Sequence, residues 1–298
     1  MISVIICTYN RDKYIYDSLR SIVENDYPST KYEIVLVNNN STDNTESECR
    51  RFETDYPQAG FHYFTETNQG LSFARNRGIL EAKGEVLIFI DDDAFIEKNY
   101  LSKLERLLSK NPEIKAFGGK VTPVFESGMT PEWLSYWLYP IISGVDKGNK
   151  ISAFKRKSYP VGANMGFYRN CLESGISFNT KLGRTKKNLI GGEEKELFNS
   201  LRKNGIQIFY FPIEVKHMIP ESRTTIDYIR KFGHGVGVSE RILRVSSGKS
   251  VVVSCLFELI KWGISLFIWI FYAVSFKIIK GNSIILFRFY VTKGLLGK

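Results

Sequence analysis

Three consecutive acids, Asp91, Asp92 and Asp93, follow directly after the apolar residues 86–90. Five strongly apolar, mostly β-prone residues predict a strand buried on both faces, so the acids stand where the chain leaves the core. Because side chains alternate in direction along an extended chain, Asp91 and Asp93 point to one side and Asp92 to the other. Two converging carboxylates favour a divalent cation such as Mg²⁺ or Mn²⁺. The competing interpretation is a solvated acidic turn.

The first half of the chain alternates apolar strands with amphipathic helices, and these elements must position the acids. Strands are predicted at residues 2–7, 34–37, 61–64 and 86–90, and a helix at residues 71–82. This alternation is typical of an α/β domain with a mainly parallel sheet. In such sheets ligands bind outside the carboxyl ends of the strands, and the sequence therefore predicts a nucleotide-binding layout.

The chain beyond residue 111 is less regular, because prolines interrupt its short strands and loops. We interpret it as a second half of the same domain, which packs onto the same sheet and would bind the acceptor substrate. A helix begins near Glu193, with acids in its first turn where the helix dipole favours them. A strand is predicted at residues 206–211. The predicted catalytic domain covers residues 1–220, divided into halves at 1–110 and 111–220.

The net charge of +10 is concentrated in the last part of the 298 residues. Residues 241–298 carry nine Lys and Arg against one Glu, and they are also strongly apolar. Basic residues beside long aliphatic runs suit an anionic membrane surface better than a nucleic acid, so no nucleic-acid partner is expected. Residues 221–298 are predicted to form a helical, membrane-associating extension.

The apolar residues 251–276 have three possible fates. Their only charges are Glu258 and Lys261, which are three residues apart and therefore neighbours on a helix. The segment could lie in the membrane interface, cross the bilayer once, or cover the catalytic domain as a core helix, and we rank these fates in that order. The contact with the membrane is assigned to residues 250–298.

The four cysteines are widely spaced and form no CxxC pair, which predicts neither a disulfide framework nor a zinc site. The chain starts directly in a strand pattern, without the features of a secretory signal peptide. We therefore expect a reducing compartment, with the catalytic part on the cytoplasmic side of the membrane.

An ordered set of short motifs gives the chain a resemblance to the family 2 glycosyltransferases. The motifs lie within residues 1–215 and comprise 3–11 (SVIICTYNR), 37–45, Asn68-Gln69-Gly70, Ala74-Arg75-Asn76, 90–93 (IDDD), Gly162-Ala163-Asn164-Met165 and Gly192-Glu193-Glu194. Any one of them alone is weak, but the set in this order is specific. The resemblance implies an inverting, nucleotide-sugar-dependent enzyme of the GT-A fold.

The resemblance also implies roles for the acids. Asp93 is expected to be the main ligand of Mn²⁺ or Mg²⁺, with Asp91 assisting, because the leaving diphosphate must be neutralised. Inversion requires a carboxylate that removes the acceptor proton. The position of Glu194 in its motif makes it the candidate base, and Glu193 is its rival. The competing interpretation is a helix start that is merely rich in acids.

The remaining candidate residues are polar side chains near the strand ends. Donor recognition is assigned to residues that share these positions: Thr8, Asn10, Arg11, Asn38, Asn40, Arg75, Asp91 and Asp92. Family members usually have Asp where this chain has Asn38, so uridine is favoured only by analogy, with guanosine and thymidine open. His217 matches a third metal ligand of several relatives, although a structural histidine is the competing interpretation. The aromatic group Trp133, Tyr136, Trp137 and Tyr139 is interpreted as core, and stacking on an acceptor sugar is the competing interpretation.

We predict a glycosyltransferase that uses a nucleoside diphosphate sugar, in the first place a UDP-sugar. The acceptor is predicted to be a glycan or a lipid-linked molecule in surface polysaccharide synthesis. Two alternatives are a nucleotidyltransferase and a non-catalytic, membrane-bound protein that binds sugar nucleotides or glycans. The first would carry a glycine-rich basic loop after the first strand, where this chain has residues 8–11 (TYNR).

Overall fold

The computed structural model describes residues 1–184, 191–246, 248 and 250–298. These residues form two compact units. The first comprises Met1–Pro123, Val145–Thr180 and Glu193–Met218, and the second comprises Val124–Gly144, Lys181–Gly192 and Ile219–Lys298. The second unit thus includes two segments from the predicted acceptor half besides the C-terminal helices, and a domain division at residue 220 stays a prediction.

The predicted strands and helices of the first half are all present, with bounds within two residues of those expected. In chain order the elements are β1 (Ile2–Thr8), α1 (Ile15–Val23), β2 (Tyr32–Asn38), α2 (Thr45–Asp55), β3 (Phe61–Thr65), α3 (Leu71–Glu81), β4 (Val86–Phe89), β5 (Ala94–Ile96), α4 (Tyr100–Lys110), β6 (Ala116–Phe125), β7 (Ser152–Ala153), β8 (Met165–Tyr168), α5 (Glu193–Lys203), β9 (Ile208–Ile219), α6 (Ile226–Ser246), α7 (Val251–Val274) and α8 (Ile278–Leu296). The strand predicted at residues 206–211 is the start of β9, which runs eight residues further.

The strands form one mixed sheet in the order β3-β2-β1-β4-β8-β6-β9-β5, with β7 paired to β9. Strands β1 to β4 are parallel, as predicted, and the pairs β4–β8, β6–β8, β5–β9 and β7–β9 are antiparallel. Thr8 is in register with Asn38, and Asn38 with Thr65. The carboxyl ends of β1, β2 and β3 therefore meet at one edge of the sheet.

The core of the first unit lies on both faces of the sheet. Along β1, Val4 and Ile6 pack into one apolar cluster with α1, and Ile5 packs into a second cluster on the opposite face. This alternation follows from the twofold repeat of an extended chain. Burial on both faces explains why β1, β2 and β4 are almost continuous apolar runs.

The second unit is helical, and α6 and α8 approach each other closely at glycines. A Cβ atom added to Gly237 would overlap the carbonyl oxygen of Val291, and one added to Gly294 would overlap the carbonyl oxygen of His234. The segment around Trp133 belongs to the same apolar core as Ile229. Small residues at these positions thus allow two helix backbones to come into contact.

The outer helix of this unit, α7, has an unusual distribution of polarity. Within the described part of the chain it is the one helix that is long and apolar enough to cross a membrane, by length and composition alone. Its buried positions include Ser254, Glu258 and Ser265. The Glu258 carboxylate contacts Lys261 at 3.0 Å and Arg288 of α8 at 2.8 Å. Apart from Lys261, whose side chain is 50% exposed, the exposed side chains are large and apolar: Val252, Val253, Leu256, Phe257, Leu259, Ile260, Ile264, Leu266, Phe267, Ile270, Phe271 and Val274.

We predict that Gly237→Ala lowers the free energy of unfolding of the helical unit by about 1–3 kcal/mol, because an added methyl group must push two backbones apart. Thermal unfolding followed by circular dichroism measures the change. Gly263→Ala in α7 is the matched control, since its Cβ would meet no atom within 4 Å. The control is expected to be neutral or to stabilise by up to about 1 kcal/mol through helix propensity. Equal losses in the two proteins would contradict the close contact of α6 and α8.

Candidate active site

The three acids form a tight turn between β4 and β5. The backbone N–H of Ala94 donates to the carbonyl oxygen of Asp91 at 3.1 Å, and the N–H of Met218 donates to the carbonyl oxygen of Asp93 at 2.8 Å. Ala94 is the register partner of His217 in the antiparallel pair β5–β9. This pairing brings a residue more than 120 positions away to the acidic turn.

Asp91, Asp93 and His217 form a cluster that could hold a metal ion. Each offers one ligand atom, and these atoms all lie within 4.8 Å of one another. Nε2 of His217 lies 2.9 Å from Oδ1 of Asp93, and both side chains are buried. His217, expected just past a strand, lies inside β9 because that strand is longer than predicted.

The donor set fits a divalent cation. Two carboxylates and one imidazole supply hard oxygen ligands together with a nitrogen ligand that first-row transition ions accept. Three protein ligands leave coordination positions for the oxygens of a substrate. The predicted convergence of Asp91 and Asp93 is thus present, with His217 beside them.

Asp92 points away from this cluster and pairs with Arg11. Nε of Arg11 lies 3.2 Å from Oδ1 of Asp92, and Nη2 of Arg11 lies 3.4 Å from Oδ2 of Asp93. Burial raises the pKa of Asp92 to about 6, with Arg11 opposing the shift and Asp93 adding to it. Burial lowers the pKa of Arg11, but Asp92 and Asp93 outweigh it and leave that pKa above its ordinary value. Arg11 was predicted to bind the donor, and in the structure it forms ion pairs with two carboxylates of the acidic turn.

The loops after β1 and β2 are tied together beside the acidic turn. The backbone N–H of Asn10 donates to Oγ of Ser41 at 3.0 Å, and the N–H of Thr42 donates to Oδ1 of Asn10 at 2.8 Å. Asn10 and Asn40 both adopt a left-handed backbone, with φ of 53° and 63°. Asparagine tolerates this conformation better than most residues. Thr8 is the buried last residue of β1.

The side chain of Asn38 makes hydrogen bonds to two neighbouring residues. Its Nδ2 donates to the hydroxyl of Tyr63 at 2.8 Å, and its Oδ1 accepts from the backbone N–H of Ser41 at 2.9 Å. The guanidinium of Arg50 lies 4.3 Å from the centre of the Tyr63 ring. Sequence reasoning missed Tyr63 and Arg50, because neither belongs to a recognised motif. The alternation of β3 could have indicated that Tyr63 shares a face with its neighbours two residues away.

Asn39 is a third residue to which the sequence analysis assigned no role. Its buried amide donates to the carbonyl oxygens of Glu66 and Asn68 at 2.9 and 2.7 Å and accepts from the backbone N–H of Gly70 at 2.7 Å. These bonds join the loop after β2 to the start of α3. The signal was available, since Asn39 and Gly70 both lie in motifs that carry the family resemblance.

Arg75 joins the acidic turn to the start of α5. Its side chain is 3% exposed, and its Nη1 lies 3.1 Å from Oε1 of both Glu193 and Glu194. Its Nη2 lies 3.9 Å from Oδ1 of Asp91. Burial lowers the pKa of Arg75, but Glu194, Glu193 and Asp91 raise it by more, so it ends above its ordinary value. The predicted metal ligands and the predicted bases are therefore linked through one guanidinium.

Gly162 makes room for this guanidinium. A Cβ atom at Gly162 would overlap Nη2 of Arg75 and would lie 2.8 Å from Oε1 of Glu194. The turn is fixed by Asn164, whose Nδ2 donates to the carbonyl oxygens of Lys120 at 2.9 Å and Ile213 at 3.1 Å. The structure thus gives a physical reason for the motif at residues 162–165.

The aromatic group of the second unit is divided in the structure. Trp133 is buried and Tyr139 packs against the same core, as predicted. Tyr136 and Trp137 are 82% and 54% exposed, so the prediction that they belong to the core is wrong. They lie on a short 3₁₀ helix, Tyr136–Ile142, whose other side faces the core. A 3₁₀ repeat of three residues presents different faces from the α-helical repeat assumed from sequence.

The comparisons with known proteins agree with this geometry. The sequence profile "Glycosyl transferase family 2" matches residues 3–174. The chain is 25% identical over 251 residues to the glucosyl-dolichyl phosphate glucuronosyltransferase of Haloferax volcanii, and the matched region covers 81% of this chain and 77% of that relative. It is 26% identical over 220 residues to a dolichyl N-acetyl-alpha-D-glucosaminyl phosphate 3-beta-D-2,3-diacetamido-2,3-dideoxy-beta-D-glucuronosyltransferase of Methanococcus voltae. This second matched region covers 71% of this chain and 64% of that relative.

Solved structures show the same fold. The mannosyltransferase PcManGT of Pyrobaculum calidifontis, in complex with GDP-Man and Mn²⁺, has a TM-score of 0.66 at 18% identity, over 100% of this chain and 87% of that chain. TarS 1–349 of Staphylococcus aureus, in complex with UDP-GlcNAc, has a TM-score of 0.57 at 18% identity, over 100% of this chain and 92% of that chain.

The fold and the site together define a glycosyltransferase of the GT-A class, with a carboxylate and imidazole cluster at the strand ends. The chain belongs to glycosyltransferase family 2. The resemblance found in the sequence is thereby confirmed. The two alternatives, a nucleotidyltransferase and a non-catalytic binding protein, are not supported by these matches.

We predict that Asp93→Asn and His217→Gln each weaken Mn²⁺ binding by at least about tenfold, because each removes one of three clustered ligands. Electron paramagnetic resonance of free Mn²⁺ measures the affinity. His62→Gln is the control, since His62 pairs with Glu33 at 3.6 Å near the amino end of β3. An equal loss of affinity in the control would contradict the assignment of the metal site.

Proposed function

We propose that this protein transfers a sugar from a nucleoside diphosphate sugar, in the first place a UDP-sugar, to a lipid-linked or glycan acceptor in surface polysaccharide synthesis. The observation that carries the proposal is the link between the Asp91, Asp93 and His217 cluster and the Glu193 and Glu194 carboxylates through Arg75. This arrangement supports a site that neutralises the charge of the leaving group, next to a candidate base.

Asp93, Asp91 and His217 are proposed to hold Mn²⁺ or Mg²⁺, and the imidazole favours Mn²⁺ of the two. When bound, the cation supplies Lewis-acid charge that neutralises the leaving diphosphate. Arg11, which is 28% exposed at its side chain, holds the carboxylates of Asp92 and Asp93 in place. Its remaining N–H groups can contact the anionic donor, because a guanidinium carries five donors.

Glu194 is proposed as the general base. It removes the proton of the acceptor hydroxyl, the acceptor oxygen attacks the anomeric carbon, and the bond from that carbon to the diphosphate oxygen breaks in the same displacement. The side chain of Glu194 is 17% exposed, whereas that of Glu193 is 3% exposed. Glu194 is therefore the carboxylate that an acceptor can reach. Glu193 instead anchors Arg75 from inside the protein.

The base of the donor is proposed to bind near Asn38, Asn40 and Thr8, with Asn10 shaping the loop. Asn38 retains one N–H and one lone pair beyond its bonds to Tyr63 and Ser41. An amide can both donate and accept, so Asn38 leaves the choice of base open, and uridine is proposed by analogy with the family. GDP-Man is bound by the fold neighbour PcManGT and UDP-GlcNAc by TarS.

The acceptor class is supported by the relatives. Two of them, from Haloferax volcanii and Methanococcus voltae, are named for transfer to dolichyl phosphate sugars. The exposed apolar face of α7 supports a membrane contact for residues 250–298, either in the interface or as a single span. The four cysteines are free thiols, which supports the cytoplasmic side of the membrane.

We predict that the protein releases a nucleoside diphosphate from a nucleoside diphosphate sugar only with Mn²⁺ or Mg²⁺ present, and that a UDP-sugar is used best. A screen of donors, with the released diphosphate quantified, measures this slow hydrolysis without an acceptor.

Glu194→Gln is expected to lower transfer to an added acceptor by at least about a hundredfold and to leave the Kd of the donor nearly unchanged.

The matched control is Glu196→Gln, which makes the same change of charge in the first turn of α5. It is expected to keep nearly full activity. Normal turnover of the Glu194→Gln protein would remove Glu194 as the base. If Glu193→Gln loses transfer while Glu194→Gln does not, the base is Glu193.

We predict that Phe267→Glu weakens binding to vesicles containing phosphatidylglycerol by about tenfold or more, because it replaces an exposed aromatic side chain, which lipid would cover, with an acid. Vesicle flotation measures the bound fraction. Leu80→Glu is the matched control, because Leu80 is 77% exposed on α3 and Phe267 is 74% exposed on α7. Equal binding of both variants, or no binding of the unmodified protein, would contradict the membrane contact of α7.

A further inference from the structure

We propose that Arg75 is a positioning residue that couples the metal-binding carboxylate of Asp91 to the catalytic carboxylate of Glu194. A cation bound at Asp91 then changes how firmly Glu194 is held, and the charge of Glu194 changes how firmly the cation is held. The inference rests on the proposed function of the site, and it assigns to Arg75 a role other than direct contact with the donor.

The geometry shows one guanidinium shared by two sites. Nη1 of Arg75 contacts both glutamates at 3.1 Å, and Nη2 lies 3.9 Å from Asp91. The ring of Phe178 lies 5.2 Å from the guanidinium carbon. Gly162 lies against another side of the guanidinium, where there is no space for a Cβ atom. The guanidinium therefore has small freedom of movement and shifts mainly between Asp91 and the glutamates.

The position of the Arg75 guanidinium depends on the charges of the groups around it. Attraction between charges a few ångströms apart is much stronger at a buried site than in water. A divalent cation at Asp91 repels Arg75, so the guanidinium turns fully to Glu193 and Glu194. Neutralising Glu194 has the opposite effect, because Arg75 then pairs more closely with Asp91 and competes with the cation. Linkage requires that the two effects be equal in free energy.

The coupling orders the events at the site. Without a cation, the charge of Arg75 is divided among three carboxylates and Glu194 is held only in part. With a cation at Asp91, the guanidinium pairs fully with Glu193 and Glu194 and fixes the orientation of the Glu194 carboxylate. The base is thus held in one orientation when the donor side is loaded, and less firmly when it is not.

The first test measures Mn²⁺ binding alone, without donor or acceptor, by electron paramagnetic resonance. Glu194→Gln is expected to weaken Mn²⁺ binding about fivefold, the lower end of typical coupling between sites. The matched control Glu196→Gln is expected to change the affinity by less than about twofold. An unchanged affinity in the Glu194→Gln protein overturns the coupling.

The second test asks whether the effect passes through Arg75. In an Arg75→Lys background, the loss caused by Glu194→Gln is expected to shrink below about twofold, because one ammonium group cannot bridge both sites. Arg77→Lys, on the same helix and paired with Glu81 at 2.6 Å, is the control that should leave the fivefold loss intact. A full loss in the Arg75→Lys background shows that the charge acts directly through space and overturns the proposal.

A third measurement does not depend on folding of the Arg75→Lys protein. Fixed charges act additively on the logarithm of affinity, whereas a guanidinium that moves to Asp91 produces a cooperative loss. The double substitution Glu193→Gln with Glu194→Gln is therefore expected to weaken Mn²⁺ binding by more than the product of the single effects. Strict additivity overturns the proposal. If the unmodified protein binds Mn²⁺ and transfers sugar while the coupling is absent, the proposed function stands and only this inference fails.

Discussion

Crowding of carboxylates at the carboxyl end of β4 is the constraint on which the catalytic unit depends. Among the described residues of the site, five carboxylates share a small, largely buried space with two guanidinium groups. Buried charges of one sign are costly unless they are paired and hydrogen-bonded. Arg11 holds one part of this cluster, and Arg75 holds the other. The tied loops and the close approach of Gly162 keep both arginines in position, and a divalent cation supplies the compensating charge that two arginines cannot.

The parts of this site that the sequence could predict are those set by local patterns. The apolar run before Asp91 fixes a strand buried on both faces, and the alternation of β1 to β4 with helices fixes a parallel arrangement. Once the strands are parallel, their carboxyl ends share one edge, so the convergence of Thr8, Asn38 and the acids follows from topology. The closeness of Asp91 and Asp93 was predicted from the alternation of an extended chain, but in the structure it arises in the tight turn that the acids form.

The remaining features depend on pairing between distant segments. Arg75 and Glu194 are 119 residues apart, and their contact follows from how α3 and α5 pack into the same apolar cluster on one face of the sheet. The position of His217 is set by the register of β9 against β5. The hydrophobic periodicity of a segment does not determine which distant segment it packs against. A family motif identifies the residues but not the residues that they contact. Tyr136 and Trp137 illustrate the same limit, because a 3₁₀ turn changed which side chains face the core.

The polarity of α7 is the reverse of that expected for a helix on the surface of a water-soluble protein. Its buried polar residues face its neighbours, where Glu258 pairs with Arg288 of α8 and Ser254 donates to Glu240 of α6, while most of its large apolar side chains are exposed. Water would penalise such a surface, whereas lipid would not. In lipid the costly group is the charge, and Glu258 is the single acid of residues 241–298. Its burial beside Lys261 and Arg288 therefore keeps the acidic charge of this tail away from lipid, which supports the proposed membrane contact.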